Sequence, residues 1–144
     1  MVQPRSDVPP DVTALLAGAE SHLRVGSPAQ LSDAATRSHL ADFGCVGWYG
    51  EVPNGWTVVI DAEYAAAEPP QPLAERFGAD GFWERWTRAE CLCKLADVPM
   101  LAWWPVHGLD VPDDFGGVWR TLTVPSAAGD LVVSVALDLS RVRG

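Results

Sequence analysis

Two runs near the end of the chain are rich in the β-branched and aromatic residues that favour strands. They are VWRTLTV (118–124) and DLVVSVALDL (130–139), and the short segment PSAAG separates them. Two such runs joined by a few turn-forming residues predict an antiparallel β-hairpin. This hairpin limits the fold, because helices and further strands must pack against its apolar side chains.

A second pair of β-rich runs lies in the middle of the chain. CVGWYGEV (45–52) and WTVVIDAE (56–63) flank the tripeptide Pro-Asn-Gly. Asn-Gly between two β-rich runs is a strong signal for a tight hairpin turn. We therefore expect residues 45–50 to pair with residues 56–62.

The remaining segments carry helical signals. Apolar residues recur with helical spacing over 11–24, and a serine cap, an early proline and a closing glycine predict a second helix over 27–44. A third helix is expected over 73–95 with an interruption at GADG (78–81), and residues 98–117 predict a loop with one short strand. Together these elements predict an α+β fold, in which an antiparallel sheet packs against helices.

The length of 144 residues suits a single domain. We place this domain at 11–144, after a proline-rich, flexible arm at 1–10. No apolar run approaches the 18 or more residues of a membrane span, and MVQPRSDVPPD lacks the pattern of a signal peptide. We therefore expect a cytoplasmic protein.

The net charge and the cysteine content argue against several kinds of partner and against a disulfide-stabilised fold. The net charge of −9 disfavours nucleic acids and anionic membrane surfaces as partners, but it suits carboxylates gathered around a divalent cation. The three cysteines are Cys45, Cys91 and Cys93, and an odd count without a secretion signal argues against a disulfide framework. We expect Cys91 and Cys93 to be reduced thiols on one helix.

The apolar strand predicted over 56–62 runs directly into Asp61-Ala62-Glu63. Residues two apart on a strand share a face and lie about 6.6 Å apart, so Asp61 and Glu63 present two carboxylates together. Like charges this close raise each other's pKa unless a cation lies between them, and hard oxygen ligands suit Mg²⁺. The alternative is a strand end that carries two solvated acids.

The predicted third helix contains WTRAECLCK (86–94), which holds the chain's only lysine among ten basic residues. Glu90 and Lys94 are i,i+4 neighbours at the edge of the apolar stripe of this helix. A partly desolvated carboxylate there can act as a ligand or a base, and a compact ammonium can reach a phosphate. The alternative is an ordinary Glu–Lys pair on a helix surface.

The strand motif with Asp61 and Glu63, followed by the helix motif with Glu90 and Lys94, resembles the pair of motifs in the 4′-phosphopantetheinyl transferase superfamily. Members carry a strand ending in a Gly-Ile-Asp-x-Glu-like motif and a later helix with Trp-(Ser/Thr/Ala)-x-Lys-Glu-(Ala/Ser)-x-x-Lys. VVIDAE corresponds to the first motif, and in WTRAECLCK the residues Trp86, Thr87, Glu90 and Lys94 match the second. The resemblance covers about residues 45–137 and implies one half of the superfamily's fold.

The chain also departs from the superfamily pattern. The lysine before the glutamate is Ala89, and the glycine two before the aspartate is Val59. The Ser-His-Ser loop that contacts the nucleotide end of coenzyme A has RSHLAD as its counterpart, although periodicity places His39 on a helix. These differences are those of a short or degenerate member.

The resemblance implies transfer of 4′-phosphopantetheine from coenzyme A to a serine of an acyl or peptidyl carrier protein. Mg²⁺ would be held by Asp61, Glu63 and Glu90. Glu90 would take the serine proton, directly or through a water, Lys94 would contact the phosphate, and His39 would contact coenzyme A. The short holo-acyl-carrier-protein synthases form trimers, which makes a homo-oligomer a further alternative.

Two other function classes stay open. A non-catalytic relative would bind coenzyme A or a carrier protein, and Ala89, the weak match at His39 and the acidic net charge favour it. A structural or partner domain would share the motifs by accident. Trp83, Trp86, Trp103 and Trp104 are candidates for an apolar channel for the pantetheine arm, although tryptophans are more often core residues.

Overall fold

A computed structural model of the chain describes residues 8–140. Within this range the chain forms four α-helices, a short 3₁₀ helix at Ala19–His22 and six strands. The helices are α1 (Pro10–Ala17), α2 (Gln71–Phe77), α3 (Phe82–Ala96) and α4 (Met100–His107). The strands are β1 (Leu23–Gly26), β2 (Thr36–His39), β3 (Cys45–Trp48), β4 (Trp56–Tyr64), β5 (Val118–Val124) and β6 (Leu131–Leu139).

The larger sheet has the strand order β4-β6-β5, and both pairings are antiparallel. The central strand β6 is buried along residues 131–137, on both of its faces. One face packs with α1 and β3 in the main apolar core, and α3 packs across the other face. This double burial explains why the run LVVSVAL is apolar almost throughout.

The smaller sheet has the order β1-β3-β2, also antiparallel. Its central strand β3 is entirely buried, and Trp48 is one of the largest fully buried side chains. The indole N–H of Trp48 donates to the carbonyl of Gly50 at 2.9 Å, so the buried ring carries no unpaired donor. β2 runs beside β4 and brings the two sheets together.

The helix α3 is joined to the larger sheet by buried hydroxyl groups as well as by apolar packing. Ser134 on β6 has its Oγ 2.8 Å from Thr87 Oγ1 of α3 and 2.8 Å from Thr121 Oγ1 of β5. The thiol of Cys91 donates to the Ser134 carbonyl at 3.3 Å. These contacts fix how α3 is rotated on the sheet, and this rotation decides which of its side chains reach the end of β4.

The predicted helix over 27–44 is wrong. Its first turn forms, because the backbone N–H of Ser27 donates to Gln30 Oε1 (2.8 Å) and that of Gln30 donates to Ser27 Oγ (3.2 Å). The chain then continues as β2, whose pairing with β3 buries alternate residues instead of a helical stripe. Gly44 lies in the turn between β2 and β3, where its carbonyl accepts the backbone N–H of Leu40 at 2.9 Å.

The pairing predicted between residues 45–50 and 56–62 is also wrong. A turn does form, with Gly55 at φ 86° and the backbone N–H of Trp56 donating to Pro53 O at 3.1 Å. β3 is flanked by β1 and β2 on both edges, so β4 pairs with β6 instead. The Asn-Gly turn therefore connects two sheets and does not close a hairpin.

Other predictions are confirmed or refined. The α+β class is confirmed, but the single antiparallel sheet that we expected is wrong, because the strands form two three-stranded sheets. The C-terminal hairpin is confirmed as β5 and β6, and the third helix is interrupted at 78–81, between α2 and α3. The helix predicted over 11–24 ends early in α1, and the segment predicted as a loop contains α4. All three cysteines are buried and free.

Residues 1–7 of the predicted arm lie outside the described residues, and Val8 packs against the main core. Of the helices described between residues 8 and 140, none is both long and apolar enough to cross a membrane.

Candidate functional site

The end of β4 and the last turns of α3 bring an ammonium group against a carboxylate. Lys94 Nζ donates to Asp61 Oδ1 at 3.1 Å and to the backbone carbonyl of Ile60 at 2.7 Å. Among the described residues, this ion pair takes the place of the Glu90–Lys94 pair that is typical of a helix surface. Lys94 therefore joins α3 to β4 at the point where the two motifs meet.

Asp61 is nearly buried, with 13% of its side chain exposed. Desolvation raises the pKa of its carboxyl group above the ordinary value, and the nearby Lys94 ammonium and Ser38 hydroxyl partly offset this rise. A carboxylate held in such a place needs a cation beside it. In the described structure that cation is Lys94.

Glu63 and Glu90 complete an acidic cluster around Asp61. Desolvation, followed by the negative charges of Asp61 and Glu90, raises the pKa of Glu63 to about 7. The pKa of Glu90 is raised by desolvation and by Asp61, and the ammonium of Lys94 opposes this rise. Three partly desolvated carboxylates therefore share one positive charge. The remaining negative charge of the cluster would favour binding of a second cation.

Ser38 is a site residue that the sequence did not indicate. Its hydroxyl donates to Asp61 Oδ1 at 3.4 Å and accepts the backbone N–H of Ala62 at 3.0 Å. The serine is buried on β2, so the smaller sheet also supports the acidic cluster. Because residues 27–44 were predicted as a helix, the inward position of this serine on a strand could not be foreseen.

His39 lies next to Ser38 on β2, and its predicted position on a helix is wrong. Adjacent residues on a strand point to opposite faces, and His39 is exposed where Ser38 is buried. The strand therefore places Ser38, and not His39, against Asp61. A coenzyme A contact by His39 stays a prediction.

An open cavity of about 390 Å³ lies beside the cluster and is lined by Glu90, Cys93, Lys94, Asp97 and Met100, among others. Its position gives a ligand access to the Glu90 and Lys94 side chains from solvent. It is not lined by the four tryptophans proposed as a channel. Trp83 and Trp86 belong to the apolar cluster around Phe82, and Trp86 packs on Trp104 with ring centroids 5.9 Å apart. Trp103 lines a different cavity.

The donor types of the cluster fit Mg²⁺, because carboxylate oxygens are the ligands it prefers. No group of three or more His, Cys, Asp or Glu side chains between residues 8 and 140 is arranged so that it could hold a metal ion. Lys94 already neutralises Asp61, so the carboxylates do not form an assembled coordination shell. Metal binding by Asp61, Glu63 and Glu90 therefore stays a prediction.

Ala89, which stands where the superfamily has a lysine, is fully buried. It belongs to an apolar cluster with Phe82 of α3 and Leu109 of the loop after α4. A lysine at this position would have to extend out of a packed apolar region. The apolar packing around position 89 therefore suits an alanine better than a lysine.

No protein-family model, curated protein or solved structure matches the chain. The resemblance to the phosphopantetheinyl transferases, the homo-oligomer and the carrier-protein partner therefore stay predictions from the two motifs.

Proposed function

We propose that the protein transfers the 4′-phosphopantetheine group of coenzyme A to a serine of an acyl or peptidyl carrier protein. The observation that carries the proposal is the meeting of two motifs distant in sequence. Lys94 of the helical motif binds Asp61 of the strand motif, and Glu63 and Glu90 lie close enough to alter the pKa values in the same cluster. This convergence supports the proposal, because the resemblance predicts that these residues meet.

Lys94 is suited to hold a phosphate of the coenzyme A diphosphate. An ammonium group has three N–H donors, and the described contacts of Lys94 use two of them, on Ile60 and Asp61. The third donor can bind a phosphate oxygen from the adjacent cavity. The two protein contacts would hold the ammonium in place before the substrate arrives, which favours electrostatic stabilisation of the transferred group.

Glu90 is suited to accept a proton from the carrier serine. Its raised pKa makes it a stronger base than an exposed glutamate, and it lines the open cavity. The serine oxygen forms a new bond to the phosphorus that carries the pantetheine. The bond from that phosphorus to the bridging oxygen breaks, so adenosine 3′,5′-bisphosphate leaves and the serine proton goes to Glu90.

Asp61, Glu63 and Glu90 are not arranged as a metal site in the described residues, so the proposal requires that they move together to hold Mg²⁺, which when bound would supply positive charge at the diphosphate. Phosphoryl transfer depends mainly on such charge neutralisation and on alignment. Ser38 restricts the orientation of Asp61, and Lys94 balances part of the negative charge that the three carboxylates bring.

The test is mass spectrometry of carrier proteins incubated with coenzyme A and the wild-type protein, in Mg²⁺ and in chelator. We expect Mg²⁺-dependent addition of phosphopantetheine to a carrier serine. Lys94→Arg should lower the rate clearly, and Lys94→Ala should lower it about 10²–10³-fold, as the loss of one preorganised charge contact does. Transfer by Lys94→Ala at the wild-type rate would remove Lys94 from the mechanism.

A second candidate, a non-catalytic relative that binds coenzyme A, is favoured by the burial of Ala89 in an apolar cluster. The superfamily's additional cation is absent, and the packing leaves no ready place for it. Coenzyme A binding in calorimetry without transfer to any carrier would select this candidate. Absence of both binding and transfer would reject both candidates.

A further inference from the structure

The outer face of α4 carries apolar side chains that no part of the described chain covers. Leu101 and Val106 are each 74% exposed, and Ala102 and Pro105 are exposed beside them. At 3.6 residues per turn, these four positions fall within about 140° of arc on one side of the helix. A surface helix of a globular protein normally presents polar side chains to solvent, and this face does not.

The opposite side of α4 is fixed to the rest of the protein. The ring of Trp104 packs on Phe77 of α2 and on Trp86 of α3, with centroids 5.9 Å apart in both contacts. Met100, one turn earlier, packs against the apolar cluster that contains Ala89. Because these contacts hold the helix in one orientation, a rotation of α4 that buried its outer face would break them.

The exposed face is continuous with the cavity of the proposed reaction. Pro99 and Met100 line the cavity of about 390 Å³ that Glu90 and Lys94 also line, and Leu101 follows directly in α4. A protein that inserts a serine into this cavity covers its rim, and the first turn of α4 forms part of that rim.

The sequence of α4 favours apolar contact over ionic contact. Residues 98–109 contain no aspartate, glutamate, lysine or arginine, whereas 20% of the whole chain is charged. Such a surface neither attracts nor repels a partner by its charge, so binding to it depends on burial of its apolar side chains. A contiguous exposed apolar patch of this kind is typical of a protein interaction site, and the partner that fits it is itself apolar at the contact.

We propose that the outer face of α4 is the docking surface for the carrier protein and contacts an apolar patch beside the acceptor serine. The inference rests on the proposed transfer reaction, because that reaction brings a second protein to the adjacent cavity. Leu101 and Val106 act as positioning residues. They hold the carrier so that its serine reaches Glu90, and they do not contact the diphosphate.

The double variant Leu101→Gln, Val106→Gln tests this surface, because glutamine keeps a high helix propensity and removes the apolar contact. We expect its KM for the carrier to rise at least about 10-fold and its KM for coenzyme A to change by less than about 2-fold. The matched control is Phe43→Gln, because Phe43 is 89% exposed in the turn between β2 and β3. This control should leave both constants unchanged.

Direct binding separates docking from chemistry. Acyl and peptidyl carrier proteins whose acceptor serine is replaced by alanine bind without reacting, and they are titrated calorimetrically in the presence of coenzyme A. They should bind the wild type and Phe43→Gln, and they should bind the double variant at least about 10-fold more weakly. The double variant should melt at the wild-type temperature, because Leu101 and Val106 are exposed.

The proposal is overturned if the double variant keeps the wild-type KM for the carrier, in which case the transfer reaction stands and the carrier docks elsewhere. Carrier binding that depends on α4 but is not followed by transfer would support the docking surface and reject the reaction. Failure of the wild type to bind any carrier would overturn the docking surface. A wild-type dimer in analytical ultracentrifugation that becomes monomeric in the double variant would show that a second copy covers α4, which also overturns it.

Discussion

At the scale of single residues, the raised pKa of Glu63 shows that bringing three carboxylates together is unfavourable. Desolvation and the charges of Asp61 and Glu90 raise its pKa to about 7, from an ordinary value of 4.5. The folded state therefore binds a proton at this side chain over a pH range in which the unfolded state has released it. Stability contributed by the protonated group is fully present below about pH 4.5 and is lost as the pH rises through about 7.

We predict that Glu63→Gln removes this pH dependence. The variant should match the wild type in free energy of unfolding near pH 4 and exceed it near pH 8, because the unfavourable negative charge is gone. Urea denaturation across pH 4–8 measures the difference, and Glu68→Gln, an exposed position after β4, is the control. A variant less stable than the wild type at pH 8 would show that the Glu63 carboxylate is favourably paired.

Ala89 gives a second prediction at this scale. Replacement by lysine places an ammonium in the apolar cluster with Phe82 and Leu109, where burial of an unpaired charge is unfavourable. We expect Ala89→Lys to lower the free energy of unfolding by about 2–4 kcal/mol. Ala66→Lys, at an exposed position of the turn after β4, should change it by about 0.5 kcal/mol or less.

Denaturant titrations of both variants measure this difference. A stable Ala89→Lys protein with increased transfer would show that the lysine can reach the acidic cluster after all. In that case the packing around Ala89 would not explain its departure from the superfamily motif.

At the scale of elements, the orientation of α3 depends on Ser134. Its hydroxyl contacts Thr87, which is buried, and Thr121, which is half-buried. We predict that Ser134→Ala lowers the free energy of unfolding by about 1–3 kcal/mol, because the Thr87 and Thr121 hydroxyl groups both lose their contact with Ser134 Oγ. Thr123→Ala, at an exposed position of β5, should cost about 0.5 kcal/mol or less.

If Ser134→Ala and Thr123→Ala lowered the free energy of unfolding equally, the contacts of the Ser134 hydroxyl would contribute nothing beyond the strand propensity of serine and threonine. Because the same contacts orient Glu90 and Lys94, Ser134→Ala should also weaken coenzyme A binding. Calorimetry at a temperature where the variant is fully folded separates that effect from unfolding.

The elements also show what the sequence could predict. The strand alternation placed Asp61 and Glu63 on β4, and helical spacing placed Glu90 and Lys94 on α3. The serine cap at Ser27 is a real local signal that forms its hydrogen bonds, but a single turn does not make a helix when the following residues gain more by pairing with β3. Local propensity cannot reveal such a long-range pairing.

The partner of β4 was missed for the same reason. The Asn-Gly turn indicates that the chain reverses there, but not that both edges of β3 are already occupied by β1 and β2. Ser38 could not be assigned to the site until β2 was known to lie against β4. The parts of the site carried by short, regular patterns were therefore predictable, and the part that depends on sheet order was not.

At the scale of the whole molecule, Ser38 links the two sheets at the acidic cluster. It satisfies the backbone N–H of Ala62 and contacts Asp61. We predict that Ser38→Ala lowers the free energy of unfolding by about 1–2 kcal/mol, since a buried N–H loses its acceptor. Ser32→Ala, at an exposed turn before β2, is the control and should have little effect on denaturant unfolding.

The central claim is that β4 and α3 together form a site for the diphosphate of coenzyme A. Calorimetric titration of coenzyme A in Mg²⁺ tests it most directly, with wild-type protein, Lys94→Ala and the control Glu68→Gln. We predict binding by the wild type and the control, no binding of pantetheine, and at least about 10-fold weaker coenzyme A binding by Lys94→Ala, as expected for one charged hydrogen bond. Equal coenzyme A affinity in Lys94→Ala, or no binding by the wild type, would contradict the claim.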